Sequence, residues 1–196
     1  MDFFSSLNRI FRTFAPMITT QDIIQLRAFA RQDGFLTALL WTASFAAMMY
    51  TPETPIGQLL MFATPFFVGW RLTAFRNDAL EGVISYRRAY AFSLHVFFYS
   101  ALVFALVQYL YFRYLDGGRF IMQLTQGMDI LRQLYSSQGE MSAETGDMLS
   151  QMEQSLEDIR SSSPIDLTFV FMMMNLWAGF FLSFLIAAFG QKKVKK

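Results

Sequence analysis

The chain has 196 residues, of which 54% are hydrophobic and 16% charged, with a net charge of +1 and no cysteine. Without cysteine there is no disulfide, thiolate metal site or cysteine nucleophile, and a near-neutral balance makes no case for nucleic acid, whose binders present a basic face or stripe. What remains is an apolar chain whose charges are confined to particular intervals.

The first interval, 1–33, opens with Phe3, Phe4, Leu7, Ile10, Phe11 and Phe14 at three- and four-residue spacing, with Ser5, Ser6, Asn8, Arg9 and Arg12 on the opposite face. That periodicity predicts an amphipathic helix ended by Pro16. An aromatic face opposite basic residues suits the cytoplasmic headgroup plane and equally suits a cap on the inner end of a helical bundle. The segment lacks the apolar core and small-residue cleavage site of a removable signal peptide, so the first span is expected to act as its own signal.

Four stretches then carry no charged side chain: 34–50, 56–70, 89–112 and 167–189. A helix of about 20 apolar residues crosses a ~30 Å hydrocarbon core. The third and fourth stretches reach that length, whereas the first two, at 17 and 15 residues, need flanking residues or local thinning. The joint between them, Thr-Pro-Glu-Thr-Pro at 51–55, interrupts a helix twice in five residues and predicts a helical hairpin. The expected architecture is an all-α membrane protein of four transmembrane helices, with segments 34–112 (spans one to three), 113–164 (an outer hairpin), 165–189 (span four) and a basic tail, 190–196.

Charge sets the orientation, because cytoplasmic segments near span ends retain Lys and Arg. With the N-terminus inside, the cytoplasmic side holds twelve of the sixteen basic residues, from Arg9 through Arg71, Arg76, Arg87 and Arg88 to Lys196. The outside keeps Arg113, Arg119, Arg132 and Arg160 against ten acids, among them Glu53, Asp116 and Asp166. A topology in which 56–70 dips in and returns would push four arginines outward, against the same rule.

Within 113–164, Phe120, Leu124, Met128, Leu131 and Leu134 mark one helical face, and Met148, Met152, Leu156 and Ile159 a second. Ser136-Ser-Gln-Gly-Glu140 separates them. The prediction is two amphipathic helices whose apolar stripes face each other, the headgroups or a partner. At the entry to the last span, Ser163 fits an N-cap, Pro164 the first helical position and Asp166 the reciprocal capping carboxylate, which gives that acid a structural role at the interface.

The spans themselves contain no ionised group, so candidate polar positions are few. His95, the only histidine, needs further ligands to hold zinc or haem, and is expected to be neutral and bonded to a neighbouring helix. Gln108 and Asn175 can bond across helices for on the order of 1 kcal/mol. Asn175, Gly179, Ser183 and Ala187 repeat at strict four-residue spacing, a stripe that allows another backbone close approach. Its partner is either a helix of the same chain, such as the third span with Ala101 and Ala105, or a second copy. Met172-Met-Met174 and the 23 phenylalanines read as packing and lipid contact rather than a cofactor box. No catalytic residue, cofactor or metal is expected.

The third span is entered through Gly82-Val-Ile-Ser-Tyr86-Arg-Arg-Ala-Tyr90 and left through Tyr109-Leu-Tyr-Phe-Arg-Tyr-Leu-Asp116. With the short first hairpin, the acidic Met/Leu helical pair ending in Ser-Pro and the lysine tail, the chain resembles the small four-span membrane proteins of unknown function common in Bacteroidota. The resemblance implies a bacterial inner membrane and a periplasmic hairpin, and brings no catalytic residues. The residues favour a non-enzymatic scaffold or accessory subunit, with a lipid bilayer and a homo-oligomeric or membrane-protein partner and no nucleic acid. The alternative is a small oligomeric transporter using His95, Gln108 and Asn175 as a polar path, although such proteins commonly show internal repeats or intramembrane charge.

Overall fold

The computed structural model describes residues 20–137 and 143–192, which are all-helical: α1 (Thr20–Tyr50), α2 (Ile56–Ala79), α3 (Tyr86–Leu110), α4 (Arg119–Ser137), α5 (Ala143–Ser161) and α6 (Pro164–Gly190). The amphipathic helix expected ahead of Pro16 lies outside the described residues, as do most of the tail and most of the break between α4 and α5. Among the described residues, two helices are long and apolar enough to cross a membrane: α6, and α3 together with its extension to Leu115.

Helices α1 and α2 run well past the apolar stretches that marked them. At 1.5 Å per residue, the 31 residues of α1 extend about 46 Å, and its first turns carry Asp22, Arg27, Arg31 and Asp33. Hydropathy ends at Asp33, but no proline or capping residue stops the winding there. The joint at 51–55 forms as expected, with Thr51 N–H bonded to Ala47 O at 2.9 Å and Thr54 N–H to Thr51 O at 3.0 Å. Pro65 sits inside α2, where its missing N–H leaves the Met61 carbonyl without a ladder donor.

Helix α3 is the centre of the bundle, packed against α6 on one side and α1 on another, while α2 packs chiefly against α1. Two glycines bring the backbones together. A Cβ on Gly34 would stand 2.6 Å from Tyr99 Cβ, and Ser100 Oγ lies 3.0 Å from the Gly34 carbonyl, so α1 crosses α3 at contact distance. Gly57 does the same between α1 and α2, with Ser44 Oγ donating to its carbonyl at 2.7 Å. The core between them is aromatic: Phe75 stacks on Phe92 at 4.5 Å, and Trp41 meets Phe97 and Phe104.

The bundle is tied at the end where α2 and α6 finish. Arg76 donates to the Gly190 carbonyl at 3.1 Å, and Leu72 occupies the space over Gly190. A turn through Glu81 and Gly82, both at positive φ, delivers Ile84 to Lys192, where the two backbones exchange hydrogen bonds of 3.0 Å each.

At the other end α3 loosens into a π-turn, Tyr111–Leu115, and Asp116 then starts α4 by accepting from the Gly118 and Phe120 N–H groups at 3.0 and 2.9 Å. Gln123 reaches back to the Met49 carbonyl at 3.0 Å, closing the exposed end of α1. Among the described residues, helix α5 leans on α4 and has no other substantial partner. Met128 and Leu149 are the residues buried between them, and Arg132 pairs with Glu153 across the pair. The expected stripe on α5 holds in its second half, where Leu156 and Ile159 are half-buried, and fails in its first, where Met148 and Met152 are exposed and Leu149 is buried instead. Periodicity alone located the apolar side of α5 but missed by one residue the position buried in its first turns.

The cap of α6 is the one expected. Ser163 Oγ accepts from the Asp166 N–H and the Asp166 carboxylate accepts from the Ser163 N–H, each at 3.3 Å, with Pro164 opening the helix.

Candidate functional site

The charge-free stretches are flanked by a buried acid, Asp33, one position outside the first of them. It is 1% exposed and takes both Arg71 Nε (2.7 Å) and Nη2 (2.6 Å) on one oxygen, Oδ1. Its other oxygen, Oδ2, is buried without a partner. The two residues lie one position outside the first and second apolar stretches, at the same end of the α1–α2 hairpin. That flanking placement was the available signal; reading each charge as a span boundary hid it. A second pair, Arg88 with Asp22 at 3.1 Å, joins α3 to α1, and Arg88 also stands 6.0 Å from the Phe75 ring.

Further along the bundle α1, α2, α3 and α6 line a partly open cavity of about 260 Å³. Its walls are largely aromatic and methionine, and its polar groups come from Ser44, Thr64, Gln108 and Asn175. Thr64 already accepts from Trp41 Nε1 at 3.1 Å, and Ser44 is committed to Gly57. Gln108 differs: it is 2% exposed and its Oε1 has no partner. Two of the polar positions expected from the sequence, Gln108 and Asn175, are thus brought to one space.

His95 is not with them. Its Nδ1 lies 2.7 Å from the Ala91 carbonyl, one turn back on its own helix, so the expected bond to a neighbouring helix is replaced by a local one. The ring lines a separate groove of about 730 Å³ with Arg27, Tyr99 and Trp177. No group of three or more His, Cys, Asp or Glu side chains able to hold a metal occurs among the described residues.

The small-residue stripe on α6 turns inward. A Cβ on Gly179 would stand 2.5 Å from Phe97 Cβ, Ser183 and Ala187 are fully buried, and Asn175 is half-buried at the cavity. Of the two partners open to it, α3 of the same chain occupies the stripe at Gly179, and Gly179, Ser183 and Ala187 offer no surface to a second copy. The Ser183 hydroxyl spends its donor on the Gly179 carbonyl at 2.6 Å, which is how a polar residue is carried on a buried apolar face.

Fold and site define an all-helical bundle with two helices fit to cross a membrane, a buried ion pair at one end and a mixed-polarity cavity towards the other. The chain belongs to DUF4199, described as a protein of unknown function, whose model matches residues 32–192. No curated protein and no solved structure matches it.

Proposed function

We propose that this chain is a four-span protein of a bacterial cytoplasmic membrane, with both termini inside, acting as a non-enzymatic scaffold or accessory subunit that docks a partner through the α4–α5 pair. The carrying observation is the outer surface. Only 17% of the most apolar stretch of α6 is buried, and Phe169, Met174, Trp177, Phe181, Leu185 and Phe189 all face outward; a soluble core helix of that composition would be covered. Leu59, Phe62 and Phe66 extend the apolar exterior onto α2. That argues for α1 and α2 crossing beside α3 and α6, their charged ends reaching into the cytoplasmic headgroups.

The docking role rests on the α4–α5 pair. Met122, Ile130 and Leu134 are exposed on α4 beside Asp129 in sequence, and on α5 the exposed Met148 and Met152 share the helix with the exposed acids Asp147, Glu157 and Asp158. An apolar centre with a charged rim is the ordinary make-up of a protein interface. A net acidic segment is also repelled by anionic headgroups, which disfavours a lid on the lipid. Replacing residues 118–160 with a flexible Gly/Ser linker tests this: the variant should insert normally and lose the partners that co-purify with the wild type. Insertion with every partner retained would end the docking role.

A small permease is the second reading, supported by Gln108 and Asn175 sharing one cavity and by the buried Asp33. Against it, His95 occupies a different groove from the other two.

A further inference from the structure

We propose that the cavity between α1, α2, α3 and α6 binds a small neutral amphiphile: an apolar ring or short chain bearing one hydroxyl, held by Gln108 and entering sideways between α2 and α6. The site goes beyond the docking role above and does not depend on it. Only the route of entry from the bilayer rests on the four-span reading.

Four observations carry the proposal. First, size: an apolar protein cavity of about 150 Å³ accepts benzene, so about 260 Å³ fits a single substituted ring or its aliphatic equivalent. Second, polarity: no charged side chain lines the space, which excludes an ion or a zwitterion whose charge would be left uncompensated. Third, direction: the Gln108 Oε1 is buried and unpartnered. An unmet buried acceptor costs about 1–3 kcal/mol, and a ligand hydroxyl supplies the donor that the protein does not. Asn175 and Thr64, on the same walls, give that hydroxyl or a second polar atom further partners.

The fourth observation is access. Helices α2 and α6 are joined at the charged end through Leu72, Arg76 and Gly190, but at the level of the cavity the lining residues Met61 and Ala178 are exposed. The bundle is closed at one end, and beside α2 and α6 the cavity lining reaches its outer surface. Phe120, at the start of α4, lines the opposite end and meets Phe112 and Phe171 edge-to-face, so the first turn of the hairpin roofs the site.

Trp41 lines the cavity, and the two other tryptophans, Trp70 and Trp177, are exposed. Replacing both by Phe leaves Trp41 as the sole reporter. The probes are 4-bromophenol and bromobenzene, heavy-atom quenchers of similar ring size that differ in the hydroxyl, added to the protein in detergent and in nanodiscs. The expected result is saturable quenching by 4-bromophenol, with a midpoint about five- to tenfold below that of bromobenzene, the size of one net hydrogen bond. Gln108→Leu should keep saturable quenching by bromobenzene and abolish the preference. It removes an orphaned acceptor rather than packing, and its own unfolding midpoint serves as the control for folding. Linear, unsaturated quenching by both probes overturns the site. Saturation without preference, or a preference that survives Gln108→Leu, overturns the role of Gln108. Saturation in detergent but not in nanodiscs overturns the lateral entry alone.

Discussion

Asp33 offers two oxygens and one is unmet, so Arg71 is the whole of its compensation among the charged side chains described. Removing one member of a buried pair costs on the order of 3–5 kcal/mol, whereas replacing both by apolar residues is often neutral or better. Arg71→Ala should therefore destabilise the protein strongly in detergent unfolding, and Asp33→Leu combined with Arg71→Leu should recover most of the loss. Equal destabilisation by the single and double variants would show that the pair is needed for something other than mutual neutralisation. Glycine positions are sensitive for a different reason. Gly179→Leu drives a side chain into Phe97, an overpacking that typically costs about 1–3 kcal/mol, while Phe180→Leu, one residue away and half-buried, keeps a hydrophobic group where one stood. The thermal midpoints of the two variants should separate clearly, with Gly179→Leu the lower. Neither Gly34 nor Gly57 stood out from the sequence, because a glycine at a helix crossing looks like any other until the second helix is known.

Among the helices, α6 was read most completely from its residues, cap included, since N-capping depends on neighbours three positions apart. Ser163→Ala should cost about 1 kcal/mol, measured as a shift in the unfolding midpoint, and Ser163→Asp should restore most of it. Helix α5 shows the converse. Its composition and periodicity are clear, yet whether Met148 or Leu149 faces α4 is a matter of rotation about the helix axis, which a narrow stripe leaves open. The exposed Met148 and Met152 are accordingly the better sites for disrupting a docked partner: changing both to Glu should leave the midpoint of the bundle within about 0.5 kcal/mol and abolish co-purification. Helices α1 and α2 were underestimated in length because charge marks where a lipid core ends, not where a helix does. The apolar count gave 17 residues for a helix of 31.

For the molecule as a whole the sharpest test is topology. Because the chain has no cysteine, single thiols at Ser150 on α5 and at Gln191 after α6, both exposed, report their side of the membrane alone. A membrane-impermeant maleimide applied to intact spheroplasts should label Ser150→Cys and spare Gln191→Cys until lysis; the reverse would sink the orientation. The sequence by itself determined the helical class, the membership in a family of unknown function, the 51–55 joint and the Ser163 cap. Apart from the family match, which runs along residues 32–192, these are local, written in composition or in spacings of a few residues. The tertiary structure alone decided that the α6 stripe is filled by Phe97, that His95 bonds its own helix, that Asp33 meets Arg71 and that Gln108 and Asn175 share a cavity. Each of those joins residues on different helices, or chooses between partners on one, and depends on crossing points and rotations set by the packing of the whole bundle, which no spacing along a single helix contains.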